Sequence, residues 1–342
     1  MRTQTNQKSP YDAVLLVSFG GPEGMDDVMP FLDHVLQGRN VPQKRKEEVA
    51  EHYALFGGVS PLNAQNRQLI AALESELRSA QLALPIYWGN RNWHPFLADT
   101  MRQMADDGIS HALAFITSAY SSYSSCRQYL EDIERAQVAV GTGSPKVSAL
   151  RKFYNHPGFI LPGRERLHEA LDQIPDERRS GAHIAFTAHS IPVAMASVSE
   201  YQVQLGETCR LVAEGTPNPW RLVYQSRSGS PHQPWLEPDI VDHLRNLHAE
   251  GVTDVVISPV GFISDHMEVR YDLDTEARHC AEDLGVNMVR AATVGIHPLF
   301  VSMIVELIAE RVRPGTPKRW LGPMGPRHDT CLEGCCLSEQ QP

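Results

Sequence analysis

Short, nearly continuous apolar runs alternate along the chain with longer segments in which apolar residues recur every three or four positions. The runs Ala13–Ser18, Pro85–Gly89 and Ala112–Thr117 in the first half, and His183–Thr187, Arg221–Gln225 and Asp254–Ser258 in the second, read as buried strands. Between them, Asn66–Ala80 carries Leu69, Ile70, Leu73 and Leu77 at helical spacing, and Ile160–Leu171 continues the pattern. This alternation predicts an α/β fold with helices around mostly parallel sheets, and 342 residues, at roughly 100–200 per domain, predict two domains.

Two echoes support that division. His-Pro followed closely by Phe opens a helical pattern at His94–Phe96, His156–Phe159 and His297–Phe300; proline suits a first helical turn, and the histidine before it reads as a cap or as packing. More telling, the first strand of each half runs into a polar loop bearing Gly or Pro, Ser18–Pro22 and Thr187–Pro192. Ligands in open α/β sheets lie at the carboxyl ends of strands, so these loops are expected to face one cleft. Composition favours joints at Gly141–Pro145 and Asp176–Ala182, and the domains are set at 9–147 and 148–322. The remaining 323–342 lack apolar periodicity and read as a tail that a metal centre would order.

Composition narrows the classes of function. With 42% apolar and 21% charged residues the chain is expected to fold, and 31 basic against 41 acidic residues give a net charge of −10 with no basic stripe, which argues against a nucleic-acid partner. No apolar run approaches the roughly 18–20 residues of a membrane-spanning helix. Met1–Asp12 lacks the apolar core of a secretory signal, so a cytoplasmic protein with a short disordered lead and no disulfides is expected. Cys331, Cys335 and Cys336 crowd the tail as CLEGCC, whereas Cys126, Cys209 and Cys280 stand alone. In a reducing compartment such a triplet reads as metal ligation or redox chemistry, with a fourth ligand from elsewhere.

The remaining chemistry gathers after two strands. His189 ends the run His183–Thr187 and its loop, and Pro259–Asp274 packs Asp265, His266, Glu268, Asp272 and Asp274 together after another. If that segment is an α-helix, Glu268, Asp272 and Glu276 line one face, a like-charge row that repels unless a cation rewards it. Alone, His189 reads as structural and the row as a solvated face. Together, imidazole and hard oxygen ligands suit a loosely held divalent first-row metal.

At these residues the chain resembles the ferrochelatases, which insert ferrous iron into a porphyrin. The resemblance runs from about Tyr11 to about Gly322 and rests on Leu15–Pro22, Gly57–Asn63, Phe186–Pro192, Gln225–Arg227 with Pro234–Pro238, and Gly261–Asp274, in the family's order and spacing. It implies a chelatase fold of two similar Rossmann-like domains, each a four-stranded parallel sheet flanked by helices. It further implies His189 and Glu268 as the catalytic pair, facing each other across the porphyrin and meeting the Fe2+ substrate, with Asp272 as a further metal contact and Asp265 and His266 nearby. Insertion needs a base for two pyrrole N–H protons, and imidazole suits that role at neutral pH. For the porphyrin propionates the resemblance implies Ser60 and Tyr129, with Tyr53 beside them, and Trp235 as an aromatic wall.

Two positions depart from the family. Phe19 stands where some bacterial members have a tyrosine that ligates iron, and Leu36 and Gln37 precede Gly38 where some have an arginine. The CLEGCC tail resembles the C-terminal extension of actinobacterial ferrochelatases, which implies a [2Fe–2S] cluster on Cys126, Cys331, Cys335 and Cys336; zinc suits the same sulfur-rich set. Cys209 and Cys280 read as ordinary helix residues. Resemblance to Gram-positive members implies coproporphyrin III as substrate; a monomeric enzyme is expected. The rivals are a protoporphyrin IX ferrochelatase or a cobalt chelatase, and a non-catalytic haem or metal carrier.

Overall fold

All six residues of β1 (Ala13–Ser18) are buried, because this strand lies between β2 (Ile86–Asn90) and β3 (His111–Ile116), with β4 (Lys146–Ala149) completing the sheet. The same arrangement recurs with β5 (His183–His189), flanked by β6 (Trp220–Gln225) and β7 (Asp254–Ser258), with β8 (Asn287–Arg290) at the edge. Every pairing is parallel, so the expected α/β class and pair of four-stranded sheets are what the chain adopts. The computed structural model describes residues 9–38, 41–228, 233–331 and 334–337; the first eight residues of the lead lie outside them.

In the order β2-β1-β3-β4, the connections leave β1 and β3 in opposite directions, and β5 and β7 repeat this. A crevice therefore opens at the carboxyl end of each central strand. β4 and β8 are four-residue edge strands with little buried surface, which is why the apolar pattern does not reveal them. The Gly141–Pro145 turn joins the Gln128–Val140 helix to β4.

One apolar core runs through both halves. Leu69, Leu73 and Leu77 of the Leu62–Ser79 helix meet Phe300 and Ile304 of the Pro298–Val312 helix, which also packs on the Pro157–Leu171 helix. Arg151 and Glu310, the latter on the Pro298–Val312 helix, join through two 2.8 Å bonds, with side chains only 1% and 2% exposed. Two of the three His-Pro echoes are caps: His156 Nδ1 accepts from Gly158 N at 3.0 Å and His297 Nδ1 from Leu299 N at 3.2 Å. At the third, Phe96 precedes a helix that starts only at Leu97.

Candidate active site

His189 is the last residue of β5, paired with Gln225 of β6, where the strand leaves the buried sheet. Its backbone is held on both sides: the Tyr201 hydroxyl donates to its carbonyl at 2.9 Å, and Ser190 N donates to Gln225 O at 2.8 Å. The ring is oriented as well. Nδ1 lies 2.5 Å from the Ser190 carbonyl, an acceptor only, so Nδ1 carries a proton and Nε2 is the atom that gains or loses one.

Gly261 brings the loop after β7 against this strand end. Its N–H donates to Thr187 O at 2.9 Å, and any Cβ would stand 2.5 Å from Ala188 Cα, so only glycine permits the approach. The loop then delivers Glu268, whose Oε1 lies 3.3 Å from His189 Nε2. The two side chains are in direct contact on one wall, which leaves no room for a ring between them and corrects the expectation that they face each other across a porphyrin. Both remain partly open to solvent, at 33% and 43% exposure.

This contact fixes the charges. Burial opposes a charged imidazole, but the Glu268 carboxylate and the Ser190 carbonyl outweigh it and hold His189 up to about 9. Burial likewise favours a neutral Glu268, and His189 overrides it, holding the carboxyl well below its ordinary range. His266 Nδ1 accepts from Glu268 N at 3.1 Å, its ring lies edge-on to Phe262, and burial lowers its pKa, so it is a neutral neighbour rather than a second cation.

Behind Glu268 the chain winds as a π-helix over Val269–Ala277, not as the α-helix expected from the spacing. Glu268, Asp272 and Glu276 nevertheless feel one another's charge. Asp272 accepts from Gln225 Nε2 at 3.4 Å and from the Ser226 hydroxyl. Ser226 sits at φ +63°, a left-handed conformation that a serine adopts at some cost and that aims its hydroxyl at Asp272. Burial, opposed by the Ser226 bond and assisted by Glu268 and Glu276, pushes Asp272 up to about 7.

The first half grips this loop. Gln65 Oε1 accepts from Asp265 N at 3.0 Å and its Nε2 donates to Asp265 O at 3.2 Å, while His52 stacks on Tyr271 with centroids 3.6 Å apart. Arg290 ties Asp265 to Asp274 from the other side. Tyr53 is close enough to Glu268 for the carboxylate, after burial, to raise its pKa. Ser60 and Tyr129 are not part of this cluster. Ser60 is buried against Gly21, its Oγ accepting from Leu62 N at 3.4 Å, and Tyr129 is buried with the Arg91 guanidinium 4.4 Å from its ring centroid. Phe19 stands exposed beside Arg91. Trp235 pairs with Pro192 in an isolated bridge. Gln65 and Tyr201 carry no signal in the sequence pattern, and Gln225 and Ser226 stand in the Gln225–Arg227 motif with nothing there that assigns them a role.

A second site forms where the tail returns to the first half. Cys126 lies on a short π-turn, Tyr123–Arg127, in contact with Cys331, and Cys335 Sγ lies 3.6 Å from Cys336 Sγ. His328, Cys331 and Cys335 have donor atoms within 4.8 Å of one another. The Cys331 contact, aided by Lys152, Arg327 and Arg127 and opposed by burial, lowers Cys126 to about 6. Cys209 is fully buried in its helix and Cys280 lies in another, both away from this group. The four remaining thiols thus fall into two touching pairs, a donor set that fits a two-iron cluster in which each iron takes two thiolates.

The two-sheet architecture with a cleft at the carboxyl ends of its strands is a chelatase fold. SirB from Bacillus subtilis with Fe3+ shares it, with TM-score 0.52 over 89% of this chain and 96% of that one at 12% identity, as does the sirohydrochlorin chelatase SirB of subspecies spizizenii with cobalt, at 0.51. The ferrochelatase family model matches residues 11–312. A ferrochelatase of Rhodopirellula baltica is 53% identical over 330 residues, covering 96% of this chain and 94% of the relative, and a coproporphyrin III ferrochelatase of Streptomyces coelicolor is 50% identical over 352 residues with the same coverage. The chain belongs to the ferrochelatase family.

Proposed function

We propose that this protein inserts Fe2+ into coproporphyrin III and releases two protons. The observation that carries the reading is the His189–Glu268 contact at the cleft with Asp272 behind it. Iron insertion needs a proton acceptor beside the pyrrole nitrogens and an exit for the protons. His189 Nε2 is the acceptor, its tautomer fixed by Ser190; Glu268 takes the proton onward, and Asp272, near the middle of its titration at neutral pH, passes it out. The carboxylates also attract the entering cation. Both groups stand on one wall, so proton acceptance and removal occur on one face of the ring.

The substrate assignment is supported by relatives of Streptomyces coelicolor and Nocardia farcinica, both named coproporphyrin III ferrochelatases, at 50% and 48% identity. In this reading Ser60, Tyr129 and Tyr53 serve the propionates. Multiple-turnover iron insertion should run faster with coproporphyrin III than with protoporphyrin IX. A bound hydroxyl–carboxylate contact is worth about 1.5–3 kcal/mol, so each missing propionate should cost roughly ten- to hundredfold in affinity. Equal kcat/KM for the two porphyrins would defeat the substrate assignment, and the absence of turnover would favour a carrier.

The same reading divides the chain at 9–147, 148–322 and 323–342, with the first boundary moved past Ala149 because 147/148 falls inside β4 of the first sheet, and takes the enzyme as a cytoplasmic monomer; no described helix is long and apolar enough to cross a membrane. Cys126, Cys331, Cys335 and Cys336 would hold a [2Fe–2S] cluster, which when bound supplies one-electron chemistry and a cross-link between tail and first half. Iron and acid-labile sulfide in the isolated protein test it: Cys126→Ser should abolish both and Cys209→Ser neither.

A further inference from the structure

Lys152 is 92% hidden from solvent, yet among the described residues no carboxylate forms an ion pair with it. Two of its three N–H donors are used on backbone carbonyls, Ser118 O at 2.9 Å and Ser125 O at 2.8 Å. Ser125 is the residue before Cys126 on the π-turn, so the ammonium sits under the loop that presents this thiol. The charges that reach it come from the sulfurs of Cys126, Cys331 and Cys336. A buried ammonium is costly without a nearby anion, and carbonyl dipoles replace only part of its hydration. Thiolates bound to iron leave a net negative centre beside this ammonium, and that centre is the partner that the carbonyls do not replace.

We propose that Lys152 is the fixed counter-charge of the metal centre held by Cys126, Cys331, Cys335 and Cys336, and that it raises the reduction potential of that centre. The proposal rests on the [2Fe–2S] reading. Reduction adds one electron, converting one ferric iron to ferrous and making the centre more negative by one charge, so a buried positive charge beside it stabilises the reduced form. The same ammonium fastens the Cys126 turn to the end of β3 through Ser118, which keeps that charge at a fixed distance. An exposed lysine such as Lys146 is screened by water and has no such effect.

The test is a potentiometric titration of the full-length protein with dithionite and mediators, followed by visible absorbance, with iron and sulfide content measured beside it. Lys152→Met should lower the midpoint by at least a tenfold change in the one-electron equilibrium, 59 mV for n = 1. Lys152→Arg, which keeps the charge, and Lys146→Met, which removes an exposed one, should stay near the parent value. If Lys152→Met does not retain the centre, Lys152→Gln against Lys152→Arg carries the same comparison, since glutamine can still donate to a carbonyl. An intact centre whose potential is unmoved in the neutral variants overturns the proposal. Parent protein without iron and sulfide overturns the cluster reading instead, a result distinguishable at the first measurement.

Discussion

Replacing Glu268 by glutamine keeps the shape of the side chain against His189 but removes a proton carrier and a negative charge, and the two losses act in opposite directions. With His189 held up to about 9, only about 3% of it is free base at pH 7.5. Without the carboxylate, burial pulls the imidazole back toward its ordinary 6.5, so the base becomes available up to about 30-fold more often. Loss of a proton-transfer group costs about 10²–10⁴-fold. The net expectation at pH 7.5 is therefore a fall in kcat/KM of about 3- to 300-fold. The ratio of parent to variant should grow as pH rises through 7–9, because the parent's own His189 becomes free base there and the compensating gain vanishes.

Stability should barely change in this variant. His189's raised pKa stabilises the fold below 6.5 and that contribution is lost as pH rises through about 9; Glu268's lowered pKa stabilises above 4.5 and that contribution is lost as the pH falls. The pair thus contributes fully between those two ordinary values. At 33% and 43% exposure it is worth about 1 kcal/mol or less, a Tm change of no more than about 2–4 °C. Steady-state iron insertion by Glu268→Gln across pH 6–9.5, with Tm alongside, is the assay. A parent-to-variant ratio independent of pH, or undiminished turnover, would refute the proton-exit role.

Asp272→Asn should slow turnover while gaining stability relative to the parent as pH rises from 4 to 7, because a carboxyl with a raised pKa destabilises the fold when it ionises; thermal melts at pH 4 and 8 check the sign. Gln65→Ala removes both bonds to Asp265, about 1–3 kcal/mol of local stability, and should speed amide exchange at Asp265 and lower kcat with the fold retained. Arg151→Ala leaves Glu310 buried and unpaired, so denaturant unfolding should register a loss of about 3–5 kcal/mol.

What the sequence could say followed from burial and what it withheld followed from tertiary contact. β1 and β7 were legible to the residue because strands buried on both faces must be apolar throughout, whereas β8 borders solvent and its Asn287 and Arg290 broke the run. His189 and Glu268 stood out as titratable residues just past strand ends, but the spacing of carboxylates after Asp265 could not separate an α-helix from the π-helix observed. Gln65 was one polar residue on a helix; only folding, two hundred positions along the chain, gives it Asp265 as partner. The tail triplet was visible on its own, while Lys152, lying between Arg151 and Phe153, gave no sign of standing beneath the cysteines.

The packing of the Pro298–Val312 helix against the first half has a consequence for biosynthesis. Leu69, Leu73 and Leu77 are covered by residues near Phe300 and Ile304, so the apolar side of a helix made early waits for one made almost last. About 220 residues separate Ser79 from that cover, which at roughly 5–20 residues per second takes on the order of ten to forty seconds of translation. During that interval the nascent first half exposes a greasy surface on the ribosome, an attractive target for holding chaperones. A ribosome-stalled chain ending near residue 180 should be protease-sensitive and chaperone-bound, and one in which residue 315 has cleared the exit tunnel should be neither.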